Sequence, residues 1–245
     1  MESADKALIG GFIVTGSQPK KVLVRALGPS LGLADQLANP TLELRDSSGG
    51  LIDANDDWKL SNSRQAIAGS GLAPTSDLES AVLATLPANG AAYTAIIRGV
   101  NNTTGIGVVE IYDLDRAADA KLANISTRGF VQTGDNVLIA GTIILGQNPQ
   151  KVMVRAIGPS LNLVEKLADP ILELRDQNGM LIQANDNWIE SPNKQAIIDS
   201  RLAPTSDLES AITATLPANG ASYTAIVRGM NDTTGIAVVE IYALP

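Results

Sequence analysis

The stretch Arg116-Ala-Ala-Asp-Ala-Lys-Leu-Ala-Asn-Ile-Ser-Thr-Arg-Gly-Phe130 occurs once in a chain whose remaining sequence occurs twice. Residue n pairs with residue n+130 without a gap. Laying 1–115 over 131–245 matches about 70 of 115 positions, and the period is too long for a solenoid or a propeller blade. Arg25-Ala-Leu-Gly-Pro-Ser30 falls over Arg155-Ala-Ile-Gly-Pro-Ser160, and Leu72-Ala-Pro-Thr-Ser-Asp-Leu-Glu-Ser80 over residues 202–210. A period of this length suits a whole domain. Two homologous units therefore flank one 15-residue segment. If each unit needs that segment to complete its fold, the chain is one segment short.

The segment itself reads as a strand over Leu122–Val131. Leu122, Asn124, Ser126 and Arg128 alternate with Ala123, Ile125 and Thr127, and Phe130 and Val131 form a bulky apolar end. Residues 116–121 read as a short linker. The expected domains are thus 1–115 and 122–245, joined by 116–121.

Working outward, the first unit breaks into short apolar runs bounded by Gly, Pro, Asn and Asp, which is the pattern of strands and turns. Strands are expected at 8–14, 20–27, 41–45, 51–54, 78–86, 93–99 and 106–112, with a hairpin turn at 46–50. Short helical turns are expected within 31–37 and 65–68. Seven or eight strands per unit at regular spacing indicate a sandwich and not βαβ layers. The fold class is all-β: two tandem antiparallel β-sandwich domains, Ig-like or jelly-roll-like. Aromatic residues make up 3% of the chain, so the cores must be aliphatic.

The formal net charge of -8, with no basic stripe, argues against nucleic acid as a partner. The chain has no cysteine, which removes disulfides and thiolate chemistry. It also has no histidine, so the usual general base and soft metal ligands are missing and an enzyme is not expected. No apolar run reaches the length of a membrane span. Residues 1–6 lead directly into a strand pattern, so no signal peptide is expected in the sequence as it stands.

Leu42-Glu-Leu-Arg-Asp46, Gly50-Leu-Ile-Asp-Ala-Asn-Asp-Asp57, Leu86-Pro87 and Tyr93-Thr-Ala-Ile-Ile-Arg98 resemble the β-sandwich modules of the bacterial pre-peptidase C-terminal type, which occur on secreted proteins. Asn124-Ile-Ser-Thr-Arg-Gly-Phe130, Gly134-Asp-Asn-Val-Leu138 and Arg155-Ala-Ile-Gly-Pro-Ser-Leu161 look like repeat modules of large bacterial surface proteins. Two-domain chains of this sort also resemble subunits of extracellular bacterial filaments, in which a strand of one subunit completes the sheet of the next. The resemblance implies an extracellular, cell-surface homopolymer built from copies of the chain, with Phe12, Val14, Leu122, Ile125, Phe130 and Val131 at the subunit contact. The donor strand would be residues 1–14 or 116–131. The alternative is a pair of carbohydrate- or calcium-binding modules of a secreted protein.

Several residues invite a site reading. Arg25 lies among apolar neighbours on its strand and needs a carboxylate. Glu43, Asp46 and Glu110 are the candidates, repeated as Glu173, Asp176 and Glu240, and a structural ion pair is preferred to a ligand site. Asp53, Asn55, Asp56 and Asp57 offer hard oxygens to calcium, with Asn185, Asp186 and Asn187 as counterparts. The preferred reading is that these side chains cap their own turns. Trp58 and Trp188 either stack on a sugar or plug an end of the sandwich. Asn101, Asn102, Asn124 and Asn231 fit the N-x-S/T glycan acceptor pattern.

Overall fold

The computed structural model describes residues 7–244 and divides into two compact units, Met1–Ala123 and Asn124–Pro245. Each is an antiparallel β-sandwich. The first contains β1 (Leu8–Gly16), β2 (Lys20–Leu27), β3 (Pro40–Arg45), β4 (Leu51–Asn55), helix α1 (Arg64–Gly69), β5 (Ser80–Leu86), β6 (Asn89–Gly99), β7 (Val108–Asp113) and the start of β8 (Ala120–Val131). One sheet runs β1-β6-β3-β4, with the start of β8 beside β1; the other runs β5-β2-β7.

Period-2 alternation explains which side chains meet. On β2, Val22, Val24 and Ala26 enter an aliphatic core with Phe12, Leu42, Leu44, Val82 and Ile97. Each fully buried large side chain there contributes roughly 1.5–3 kcal/mol. The opposite face of β2 is also covered. Leu23 and Ala81 pack beneath Trp58 and Ile67, which belong to the excursion between β4 and β5. The sheet is therefore apolar on both faces, and Arg25 is enclosed on the outer one.

The hairpin between β3 and β4 forms where expected. The Asp46 carboxylate accepts from the backbone N–H of Ser48 and of Gly50, both at 2.8 Å. The helical turn expected within 31–37 is instead a 3-10 turn at Pro29–Leu31. Leu37 is buried, with its N–H donating to the Ile106 carbonyl at 2.8 Å, and this bond holds the segment extended toward β7.

The second unit repeats the plan with β9 (Leu138–Ile143), β10 (Gln150–Ile157), β11 (Pro170–Arg175), β12 (Leu181–Asn185), α2 (Lys194–Asp199), β13 (Ser210–Leu216), β14 (Ser222–Gly229) and β15 (Gly235–Ala243). One sheet runs β9-β14-β11-β12 and the other β13-β10-β15-β8.

The segment that occurs once belongs to both units. Ala120 and Leu122 pack against the first core, so the last residues of the expected linker are already strand. From Asn124 onward the strand pairs with β15, running from Asn124 opposite Tyr242 to Val131 opposite Gly235. Val131 enters the second core.

Candidate functional site

Two closely repeated stretches, Arg-Ala-Leu/Ile-Gly-Pro-Ser and Leu-Ala-Pro-Thr-Ser-Asp-Leu-Glu-Ser, converge in each unit. In the first, Arg25 donates through Nε to the Glu110 carboxylate at 2.8 Å and through Nη2 to the same oxygen. It also donates to the Leu72 carbonyl at 2.6 Å and the Tyr112 hydroxyl at 3.1 Å. Of the three carboxylates expected to compete for Arg25, Glu110 is the partner, because β7 places it directly opposite. Glu43 pairs with Arg45 instead, and Asp46 is taken up by its turn. The second unit repeats the arrangement with Arg155, Glu240, Leu202 and Tyr242.

Glu79 and Glu209, which sequence reasoning passed over, are fully buried. Oε1 of Glu79 accepts from the N–H of Gly28 at 3.1 Å, the N–H of Ser30 at 2.9 Å and the hydroxyl of Ser30 at 2.6 Å. Its Oε2 accepts from the N–H of Ser76 at 3.3 Å. Gly28 is needed here because a Cβ would stand 2.0 Å from the Leu37 carbonyl oxygen. The Gly-Pro-Ser loop is thus folded around a carboxylate contributed by the other motif. The one available signal was that both stretches are repeated together in the two units.

In the second unit the two loops border a cavity of about 230 Å³ with Arg155, Ser160, Thr205, Val238 and Glu240 in its wall. Burial, with the Glu240 charge adding to it, pushes the Tyr242 hydroxyl up to about 12. Arg155 and Glu240 satisfy one another, so the arrangement is an internal ion pair at the cavity wall and presents no free charge to a ligand.

Among the described residues no group of three or more His, Cys, Asp or Glu side chains is placed to hold an ion. Asn55 works for the fold: its Oδ1 accepts from the Ala81 N–H at 2.9 Å and its Nδ2 donates to the Asp57 carbonyl at 3.1 Å. Asp53 accepts from the neighbouring Ala54 N–H. Burial pushes the Asp56 carboxyl up, with Asp57 adding to the effect; burial and then Asp169 do the same to Asp186. One buried oxygen each of Asp57, Asp186 and Asn187 lacks a hydrogen-bond partner. Trp58 is buried against Leu23 and Ile67 and donates to the Ser76 carbonyl at 3.1 Å. Trp188 makes the matching bond to Ser206 at 3.0 Å. Both tryptophans anchor the excursion on the outer sheet face, not the sandwich end.

Asn101, Asn102 and Asn231 lie at exposed tips. Their φ values of 55°, 59° and 52° are in the left-handed region, which asparagine tolerates better than most residues. The backbone therefore accounts for asparagine at these positions without a glycan. Asn124 is corrected as an acceptor site: it is 7% exposed within β8, and its Nδ2 donates to the Ile241 carbonyl at 3.3 Å.

Of the residues expected at a subunit contact, Phe12 and Val14 are 1% and 0% exposed in the first unit's own core, because β1 lies beside β6 as an internal element. Val131 is equally enclosed in the second. Leu122 packs on the first core, while Ile125 and Phe130 pair with Ile241 and Ile236. Residues 1–6 of the first expected donor segment lie outside the described residues; residues 8–14 and 120–131 are engaged within their own chain.

Two sheet edges distinguish the units among the described residues. β15 lies between β10 and β8, whereas its counterpart β7 has β2 on one side and, among the described residues, no strand on the other. Reciprocally, β1 has the start of β8 beside it, whereas its counterpart β9 has only β14 among the described residues. Ile139 and Ile143 on β9 are 50% and 57% exposed.

No protein-family model matches the chain, and no curated protein matches it in sequence. Among solved structures it is similar to the tandem CBM51 modules of the family 98 glycoside hydrolase from Streptococcus pneumoniae SP3-BS71, at 8% identity and a TM-score of 0.30, over 94% of this chain and 79% of that one. It is also similar to PNGF-II, at 9% identity and a TM-score of 0.28, over 99% of this chain and 62% of that one.

Proposed function

We propose that the protein is a non-catalytic structural subunit of an extracellular filament, growing head to tail by strand addition between copies of its repeat. The observation that supports this reading is β8: one strand serves the β1-type edge of one unit with its first residues and the β15-type edge of the next with the remainder. The chain carries one further edge of each type, β9 and β7, without a strand among the described residues. An unpaired edge of this kind is a template for another chain. Because the two edges differ, their joining is heterologous and propagates instead of closing.

Light scattering coupled to size-exclusion chromatography, followed by negative-stain microscopy, tests the reading. Mass that rises with concentration and ends in regular fibres is expected. A chain that stays monomeric up to high concentration overturns it.

A second reading, that of calcium- or carbohydrate-binding modules, draws on the unpartnered oxygens of Asp57, Asp186 and Asn187. It predicts monodisperse particles whose melting temperature rises with added calcium or glycan.

A further inference from the structure

We propose that the free edge of β7 is the acceptor for one more extended segment of the β8 type, contributed by a further copy of the repeat and bound antiparallel in the register that β15 imposes on β8. The inference rests on the self-association reading above and identifies its docking site.

Two nearly identical strands stand in two environments. Ile106-Gly-Val-Val-Glu-Ile-Tyr112 repeats Ile236-Ala-Val-Val-Glu-Ile-Tyr242 with a single change, Gly107 against Ala237. Both pair with the same partner type on one side, Arg25 opposite Glu110 and Arg155 opposite Glu240. On the other side β15 carries β8, and Ile236, Val239 and Ile241 are 1%, 0% and 5% exposed. Their counterparts Ile106, Val109 and Ile111 are only half-buried, and Val108 is 37% exposed. Sequence does not account for that difference, and the covering strand does.

The repeat also supplies the register. Ile125, Ser126, Arg128 and Phe130 lie opposite Ile241, Glu240, Val238 and Ile236. Moved by 130 positions, the same residues face Ile111, Glu110, Val108 and Ile106. The occupant is therefore an extended segment with Val at its core-facing end, as Val131 is in the second unit. Small buried residues precede it at the positions of Thr127 and Gly129. The free edge of β9 from a second copy competes for the same ladder. The β8-type strand is favoured because the chain itself carries that strand on the equivalent edge of β15.

The chain has no cysteine, so directed disulfide formation reads the register cleanly. The test uses the full chain carrying Val108→Cys and a synthetic peptide of residues 116–131 carrying Arg128→Cys. A mixed disulfide is expected. Peptide carrying Ser126→Cys places its sulfur one pair away, and residues two apart on a strand are separated by roughly 7 Å. Its adduct should form at least about tenfold more slowly, since cysteines whose Cα atoms are that far apart do not bridge. Full chain carrying Val238→Cys, whose edge is covered by its own β8, should give little adduct with either peptide. Fluorescence anisotropy of a labelled wild-type peptide on the unmodified chain should show saturable binding, which guards against a variant that fails to fold.

No binding, equal reaction of both peptides, or equal reaction at Val238→Cys overturns the acceptor. Fibres that grow at an unchanged rate in excess peptide would sink the β7 acceptor and leave self-association standing through another surface. A chain that stays monomeric yet captures the peptide in register upholds the acceptor and sinks the homopolymer.

Discussion

Replacing Glu79 by Gln changes no volume and tests whether the Gly-Pro-Ser loop depends on a buried carboxylate. All four of its partners donate: the N–H groups of Gly28, Ser30 and Ser76 and the hydroxyl of Ser30. The glutamine oxygen can keep the three bonds made by Oε1, but they become bonds between neutral groups, which lose about half their strength. Its NH2 then faces the Ser76 N–H, donor against donor, and an unsatisfied buried group costs about 1–3 kcal/mol. Together the loss is about 3 kcal/mol. For a unit of this size that lowers the melting temperature by roughly 10 °C. Thermal melting followed by circular dichroism gives the shift, and hydrogen exchange by mass spectrometry locates it: protection of the Gly28 and Ser30 amides should fall while that of Gly158 and Ser160 is unchanged. Glu209→Gln should do the reverse. A Glu79→Gln chain melting within about 2 °C of wild type, with Gly28 and Ser30 still protected, would refute the reasoning, since a shift so small corresponds to well under 1 kcal/mol.

Lys20 is fully buried, with its ammonium 3.0 Å from the Asp113 carboxylate and 2.6 Å from the Asp115 carbonyl. Lys20→Ala should cost about 3 kcal/mol in a denaturant titration, and Lys20→Gln much less, because Gln150 holds this place in the second unit with a 2.6 Å bond to the Leu244 carbonyl. With Tyr242 raised from 10.0 to about 12, the native state holds that proton more tightly than the unfolded chain. Stability should therefore fall as pH rises through that window, and ultraviolet titration should show the late phenolate, which Tyr242→Phe removes. In native material, glycans at Asn101, Asn102 or Asn231 would appear as added intact mass, whereas Asn124 should remain bare even there; a glycopeptide containing modified Asn124 would show that β8 is not seated as described.

Much of the sandwich was legible because burial on strands leaves a period of two. Lys20–Leu27 was bounded correctly from its alternation, and the 46–50 hairpin from Asp46 and its glycines. Chemistry that depends on partners far apart in sequence was not. Nothing local distinguishes Glu79 from a solvated acid, since its donors lie about fifty residues away on the Gly-Pro-Ser loop. The choice of Glu110 over Glu43 for Arg25 required knowing that β7, and not β3, is the neighbour of β2. The helical turn expected within 31–37 failed for the same reason. Its residues have adequate helix propensity, but the bond from Leu37 to Ile106 and the burial of Leu37 decide the conformation.

The stretch Leu122–Val131 is the instructive case, because its alternation was read as that of a single strand with two constant faces. In the structure Ala120 and Leu122 point into the first unit's core, whereas Thr127, Gly129 and Val131 are the buried side in the second. The inward parity changes from even to odd within one strand. The change of parity falls where the strand's contacts pass from the first core, at Ala120 and Leu122, to the second, at Val131. Asn124 stands where the parity changes, and its buried amide donates to the backbone carbonyl of Ile241. Its polarity, which in sequence looked like a glycan signal, supplies a donor where an apolar residue could not. A segment with two such halves needs two different edges, and among the described residues the chain holds one more of each, β9 and β7.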